Sequence, residues 1–327
     1  MSIKSKILST FSLGLFLCSC LLLYFTLASN SDMEIEKKKE SLVPYTVSAL
    51  TTPESVTFAE EKIDLTRYDM RERMDRELMA FTYMHATTLI TIKRANRYFP
   101  VVDPILKANG IPEDFKYLMT IESSLNIRAL SASNAAGFWQ LLPETAQQFG
   151  LEVNDNVDER YNIEKATVAA CDYFKQAYRK YGDWVTVAAS YNAGQGRIST
   201  ELEKQMESHA FDLWLNEETS RYIFRLLAIK EVFESPIRFG FVLKAANLYP
   251  PIQCEIVVVD SSITDLATFA KEHEISYAQL KEFNLWLRDR MLDNKKGKSY
   301  QVLIPDKDDM YYNPEDITPY RKEWVID

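Results

Sequence analysis

Between residues 69 and 235, apolar positions recur every three or four residues and almost nothing alternates with period two. That spacing lines apolar side chains along one face of an α-helix, so the pattern predicts a mainly helical domain. The first periodic stretch runs from Asp69 to about Tyr98 and is strongly charged at its start, through Arg71, Glu72, Arg73, Asp75, Arg76 and Glu77. Short helices are predicted at 101–109 and 113–124. Another starts at Pro143, which suits a first helical position, and stops at Gly150. Asn162 reads as an N-cap for a helix that runs to Tyr181 and ends at Gly182. Further helices fit 183–192, 196–208 and 217–234.

Beyond Pro250-Pro251 the pattern changes. Ile256 to Val259 and Gln301 to Ile304 are short apolar runs of strand character, with helical patterns at 263–272 and 276–283 between them. The order β-α-α-β predicts a second, small module. Upstream, residues 29–66 carry Glu36-Lys37-Lys38-Lys39-Glu40, then Pro44 and Pro53, without helical periodicity; they read as a tether, in part strapped extended onto the domain. Residues 7–28 hold no charge, and about 20 apolar residues suffice to cross a bilayer. Lys4 and Lys6 precede that run while Asp32, Glu34 and Glu36 follow, which predicts export of the body. Three readings fit it: a membrane anchor, a cleaved signal peptide, or a lipoprotein signal ending at Leu17-Cys18-Ser19-Cys20. The expected organisation is therefore 1–28 leader or anchor, 29–66 tether, 67–249 helical domain, 250–306 small module and 307–327 tail.

Charge narrows the function. The 327 residues carry 38 Lys+Arg against 47 Asp+Glu, a net −9, which disfavours a surface built to grip nucleic acid. His85, His209 and His273 lie far apart with no metal-ligand spacing, so neither a metal nor a cofactor is expected. Only Cys171 and Cys254 remain outside the leader, too few for a disulfide scaffold.

Three segments could carry chemistry. In Phe115-Lys116-Tyr117-Leu118-Met119-Thr120-Ile121-Glu122-Ser123-Ser124, helical spacing puts Glu122 on a stripe with Phe115, Leu118 and Met119. Desolvation raises a carboxyl pKa, which suits a general acid; a glutamate at a helix end that points to water is the simpler reading of this stripe alone. Gly137-Phe138-Trp139-Gln140 offers a tight turn, flat aromatic faces and an amide, a combination that binds sugars and equally well packs a core. Ser190-Tyr191-Asn192-Ala193-Gly194-Gln195-Gly196 brings two polar tips to a helix end. Its glycines follow a helix rather than a strand, which excludes a nucleotide loop.

In this order the segments resemble the lysozyme-like lytic transglycosylases, in particular the membrane-bound lytic murein transglycosylase D group. The matching pieces are Ile121-Glu122-Ser123-Ser124, Ala136-Gly137-Phe138-Trp139-Gln140, Asp158-Glu159-Arg160, Tyr181-Gly182-Asp183-Trp184, Ser190-Tyr191-Asn192-Ala193-Gly194 and Thr219-Ser220-Arg221-Tyr222. Ser190 and Leu142 depart conservatively from that pattern. The resemblance implies a catalytic Glu122, support or orientation by Ser123 and Tyr191, and glycan contacts from Gln140, Asn192 and Phe138. It implies cleavage of peptidoglycan strands between N-acetylmuramic acid and N-acetylglucosamine, with one glutamate acting as acid and then base and a 1,6-anhydro end as product. It also implies a place in the cell envelope, on the periplasmic side. Asp155, Asp158 and Glu159 stay open as second carboxylates. A goose-type lysozyme-like hydrolase and a non-catalytic wall-binding protein are the competing functions. Residues 252–306 resemble a LysM module through Asp265-Leu266, Phe269-Ala270, Ile275-Ser276, Phe283-Asn284 and Leu303-Ile304-Pro305. Ile263 and Thr264 stand where a glycine is expected before its first helix, so the fold is implied more firmly than glycan binding.

Overall fold

The first element of the described residues is a hairpin that the hydrophobic pattern conceals. The computed structural model describes residues 49–327, so the apolar run at 7–28 and its three readings lie outside the described residues. Strands β1 (Ser55–Phe58) and β2 (Glu61–Asp64) pair antiparallel with Ser55 opposite Asp64. Their turn residues Ala59 and Glu60 have φ of 52° and 68°, and Asp114 accepts the Ala59 amide at 2.8 Å. Val56, Phe58, Ile63 and Leu65 are buried in the main core. The expected 29–66 tether thus gives up its second half to the domain. Four-residue strands are too short for a period of two to stand out.

The helices are α1 (Tyr68–Tyr83), α2 (His85–Ala108), α3 (Phe115–Ser123), α4 (Pro143–Gln148), α5 (Ile163–Tyr181), α6 (Trp184–Ala193), α7 (Gln195–Gln205) and α8 (Glu217–Glu234). Most follow the sequence expectation, and their caps explain why. Asn162 Oδ1 accepts the Lys165 amide at 2.9 Å, Asp183 accepts those of Val185 and Thr186 at 3.1 and 2.9 Å, and Asn216 accepts that of Thr219 at 3.2 Å. The exception is α2. A break was expected near Tyr98, but the helix runs on through Pro100 and Pro104 and the chain breaks instead at Met84. Proline removes an amide but keeps a helical φ, and Phe99, Val102 and Leu106 are fully buried along this stretch. Tertiary burial outweighs the lost bonds. Among the described residues no helix is long and apolar enough to cross a membrane.

The C-terminal module is built as expected from β3 (Cys254–Val259), α9 (Leu266–Glu272), α10 (Tyr277–Phe283) and β4 (Tyr300–Pro305), with β3 and β4 antiparallel. Asp265 caps α9, and Ser276 with Gln279 forms a capping box on α10. Buried Asn284 knits the unit together: its Nδ2 donates to Leu303 O at 2.7 Å and its Oδ1 accepts the Leu303 amide at 2.8 Å.

Residues 307–327, expected as a tail, return to the helical domain. Ile317, Trp324 and Val325 are buried in its core. Trp324 is fully buried beside Phe99, Phe233 and Tyr320, and its Nε1 donates to Phe233 O at 2.6 Å. Nearby, buried Lys116 pairs with Asp103 at 3.0 Å and donates to Tyr320 Oη at 2.7 Å. Trp324→Ala should therefore lower the stability of the helical domain by about 3–5 kcal/mol, the usual cost of removing a buried tryptophan. Denaturant unfolding would measure it; a loss near zero would show that the last residues do not hold the core.

Candidate active site

Glu122 is the penultimate residue of α3, and the helix stops directly behind it. Ser124 and Leu125 both take left-handed backbone, with φ of 49° and 53°. For residues with a Cβ that conformation costs about 1–3 kcal/mol each, so the surroundings must impose it. Leu125 is buried, the Ser124 amide donates to Thr120 O at 2.9 Å, and Arg94 Nη1 donates to Ser124 O at 3.1 Å. The result is a carboxyl group at the negative end of a helix, where an anion is disfavoured.

Tyr222, on the second turn of α8, donates to Glu122 Oε1 at 2.5 Å. Burial pushes the Glu122 pKa from 4.5 to about 7; the Tyr222 hydrogen bond and the Arg225 charge oppose the rise, and the Glu218 charge adds to it. Burial, with the neighbouring Glu122 charge, also holds the Tyr222 hydroxyl well above its ordinary value, so it stays a donor. Glu122 can therefore exist in either protonation state near neutrality.

The other residues singled out in the sequence fall into two groups. Asn192 lies at the end of α6, where its Oδ1 accepts from Thr219 Oγ1 at 2.9 Å. Thr219 precedes Tyr222 by three residues, so both lie on one face of α8. Glu122, Tyr222, Thr219 and Asn192 are thus linked through a single helix. The second group belongs to the turn at 137–140. Tyr191 Oη donates to Trp139 O at 2.7 Å rather than to Glu122. Gln140 spends its amide on Gly137 O at 2.8 Å and Ala129 O at 3.2 Å, which leaves its Oε1 as acceptor.

Two expectations do not match the geometry. Ser123 Oγ donates to Met119 O at 3.2 Å, one turn back along its own helix, and makes no bond to Glu122. Adjacent helical residues point about 100° apart, so the side chain at 123 faces away from its neighbour. Phe138 is buried, its ring 4.6 Å from that of Tyr98, and offers no open face to a sugar. Trp139 is buried too, with Nε1 bonded to Thr167 Oγ1 at 2.9 Å. The aromatic pair anchors the turn instead of lining it.

The Asp158-Glu159-Arg160 segment is the other half of that anchor. Arg160 is buried and bound to Asp158 through Nε at 2.9 Å and Nη2 at 2.7 Å, while its Nη1 donates to Asn134 O at 2.6 Å and Leu141 O at 3.1 Å. Gly137, at φ 74°, lets the chain pass against Arg160, because a Cβ there would stand 2.0 Å from the Arg160 carbonyl oxygen. Glu159 accepts the Glu152 amide at 2.7 Å and pairs with Lys165. Asp155 is exposed. Asp158 and Glu159 are thus committed to ion pairs. Among the described residues no cluster of His, Cys, Asp and Glu could hold a metal ion.

A cavity of about 520 Å³ opens beside α3, lined from that helix by Thr120, Ile121 and Ser124 and from α8 by Glu218, Arg221 and Arg225. Glu122 is not in its wall. Sequence reasoning passed over Tyr222 as a partner of Glu122. Its signal was the Thr219-Ser220-Arg221-Tyr222 segment, legible as a motif but not as a contact across 100 residues.

Residues 103–213 match the transglycosylase SLT domain, and residues 255–308 match the soluble lytic transglycosylase C-terminal LysM-like domain. Over 243 residues the chain is 29% identical to membrane-bound lytic murein transglycosylase D of Escherichia coli K12, covering 73% of this chain and 52% of that protein. It is 28% identical over 167 residues to membrane-bound lytic murein transglycosylase C of Haemophilus ducreyi, covering 43% of this chain and 44% of that one. The chain thus spans about half the length of the curated relatives it matches. The 70 kDa soluble lytic transglycosylase of Escherichia coli superposes over 49% of this chain and 30% of its own, at 18% identity and a TM-score of 0.37, too slight a likeness to bear on the fold. By sequence, the mainly helical chain joins a transglycosylase SLT domain to a C-terminal LysM-like domain of the soluble lytic transglycosylase kind.

Proposed function

We propose that this protein is a lytic murein transglycosylase, which cleaves the β-1,4 bond between N-acetylmuramic acid and N-acetylglucosamine in peptidoglycan. The observation that carries the reading is Glu122, a carboxyl group with a pKa of about 7, bonded to Tyr222. Protonated, it gives its proton to the glycosidic oxygen as the C1–O bond breaks, while the muramyl N-acetyl carbonyl stabilises positive charge at C1. As a carboxylate it then takes the proton of the muramyl C6 hydroxyl, whose oxygen closes on C1 to form the 1,6-anhydro ring. A pKa near the working pH suits a group that must do both. Tyr222 occupies Oε1 throughout, so Oε2 carries the exchangeable proton.

Most glycosidases divide this work between two carboxyl groups. Asp158 and Glu159 are held by Arg160 and Lys165, which supports a mechanism that needs only one. Asn192, through its amide, and Gln140, through Oε1, are the proposed glycan contacts. Tyr191 and Phe138 serve the same site by fixing the turn, and Ser123 by closing the end of α3. We place the protein in the cell envelope on the periplasmic side, with the segment at 1–28 as membrane anchor, lipid attachment site or cleaved signal. Its working parts are the helical domain with its N-terminal hairpin and C-terminal strap, and the module at 250–306.

Glu122→Gln should abolish glycan release from purified sacculi without loss of fold; a variant with near-wild-type activity would exclude the acid–base role. Mass spectrometry of wild-type products should show ends lighter by one water. Reducing ends in their place would make the enzyme a hydrolase.

On the alkaline side, kcat/KM should fall as Glu122 ionises through about pH 7. Stability should follow the same group. A carboxyl whose pKa is raised by folding binds its proton more tightly in the native state, so its contribution is lost as pH rises from about 4.5 to 7. Glu122→Gln removes that penalty, and its stability relative to wild type should grow over this window by up to about 3 kcal/mol and then level off. Denaturant unfolding at pH 5 and pH 8 would measure the difference.

Tyr222→Phe deletes a bond that favours the ionised form. The alkaline limb should move to higher pH while kcat falls about tenfold or more through lost orientation. A pH–rate profile identical to wild type would separate Tyr222 from the chemistry.

A further inference from the structure

The segment from Glu152 to Tyr161 is gripped from two sides. On one side is the C-terminal module. Val157 pairs with Leu287 as an isolated antiparallel bridge, the Asp158 amide donates to Trp286 O at 2.8 Å, and the Arg288 amide donates to Asn156 O at 2.8 Å. Glu152 accepts from Lys298 Nζ at 2.7 Å and Tyr300 Oη at 2.9 Å, and the Arg288 guanidinium lies 4.5 Å from the centre of the Tyr161 ring. On the other side is the turn that carries Gln140, bound by Arg160 through Leu141 O and Asn134 O and fitted against the Arg160 carbonyl at Gly137. Ala136, next to that glycine, is buried in one apolar cluster with Val157, Tyr161 and the module's Leu285, Trp286 and Leu287. The module's core and the turn are therefore packed as one body.

A recognition module on a flexible linker acts by raising the local concentration of its ligand and needs freedom to reach it. Backbone bonds, an ion pair and a shared apolar cluster remove that freedom. We infer that the C-terminal module is a positioning element of the candidate active site: by docking on residues 152–161 it holds the 129–141 turn, and with it the proposed glycan contact Gln140, in place. Arg288 and Glu152 act as positioning residues, through the segment and not on the substrate. The inference rests on the proposed murein cleavage for its kinetic consequence, but its structural consequence is independent of any activity.

The test is the double variant Arg288→Ala with Glu152→Gln in the full chain. Amide hydrogen exchange is followed at 129–141, with α9 and α10 as controls for the module itself. Turnover is measured both on sacculi and on short soluble murein glycans. Faster exchange at 129–141 with unchanged α9 and α10 is expected. With it, kcat on the soluble glycans should fall about tenfold to a hundredfold while KM on sacculi stays within about twofold, the pattern of lost positioning rather than lost binding. Arg288→Lys, which keeps a cation over Tyr161, should retain most of the rate. Exchange at 129–141 equal to wild type would overturn the inference. So would a loss confined to sacculus affinity with full turnover of soluble glycans, which is the behaviour of an independent glycan binder. Should the double variant loosen α9 or α10, Lys298→Ala removes only the pair with Glu152 and is judged by the same exchange. A wild-type chain that releases no product from sacculi would end the proposed function, and the exchange measurement would still decide the role of the module.

Discussion

The hydrogen bond from Tyr222 to Glu122 is the constraint around which the helical domain is arranged. It joins the end of α3 to the second turn of α8, two elements 100 residues apart in sequence. α3 stops one residue beyond Glu122, where Ser124 and Leu125 accept left-handed backbone strain. The bond requires α8 to be rigid, and α8 is buried along most of its length, through Tyr222, Phe224, Leu226, Leu227, Ala228, Val232 and Phe233. The C-terminal strap closes over the far end of that helix, where Trp324 donates to Phe233 O. The last residues of the chain therefore pack on the helix that carries Tyr222, the partner of the proposed acid.

Two carboxylate environments stand side by side. Asp158, Glu159 and Glu77 are buried and paired with cations, Glu77 with Arg221 at 2.7 Å. Breaking such a pair leaves a costly unmatched charge. Glu122 has no cation in hydrogen-bond contact; its partner is a neutral hydroxyl, while Arg225 donates instead to the Ile121 carbonyl at 3.5 Å. Burial without a paired cation raises its pKa, which suits the protonated form an acid needs. What separates the paired carboxylates from Glu122, the proposed acid, is a cation rather than a phenol as nearest neighbour.

The Asp158-Glu159-Arg160 segment explains why the C-terminal module fits the site so closely. Arg160 is spent on carbonyls of the turn and on Asp158, while the Asp158 amide is spent on Trp286. One short stretch of buried polar groups satisfies two neighbours at once, and neither can shift without exposing unpaired donors.

Periodicity, caps and stop residues are local signals, and they determined what local signals can. The helical class, the limits of the helix from Asn162 to Gly182, the β-α-α-β order of the module and the prominence of Glu122 on an apolar stripe were all legible in the chain. The hairpin at 55–64, the continuous helix through Pro100 and Pro104, and the return of residues 317–325 to the core were decided by tertiary burial, which can override weak local preference. The same holds within the site. A sequence can place Tyr191, Ser123, Phe138 and Tyr222 near interesting neighbours, but only packing decides which hydroxyl meets the carboxylate and which ring is sealed inside. That choice depends on the relative rotation of α3, α6 and α8, and no single helix contains it.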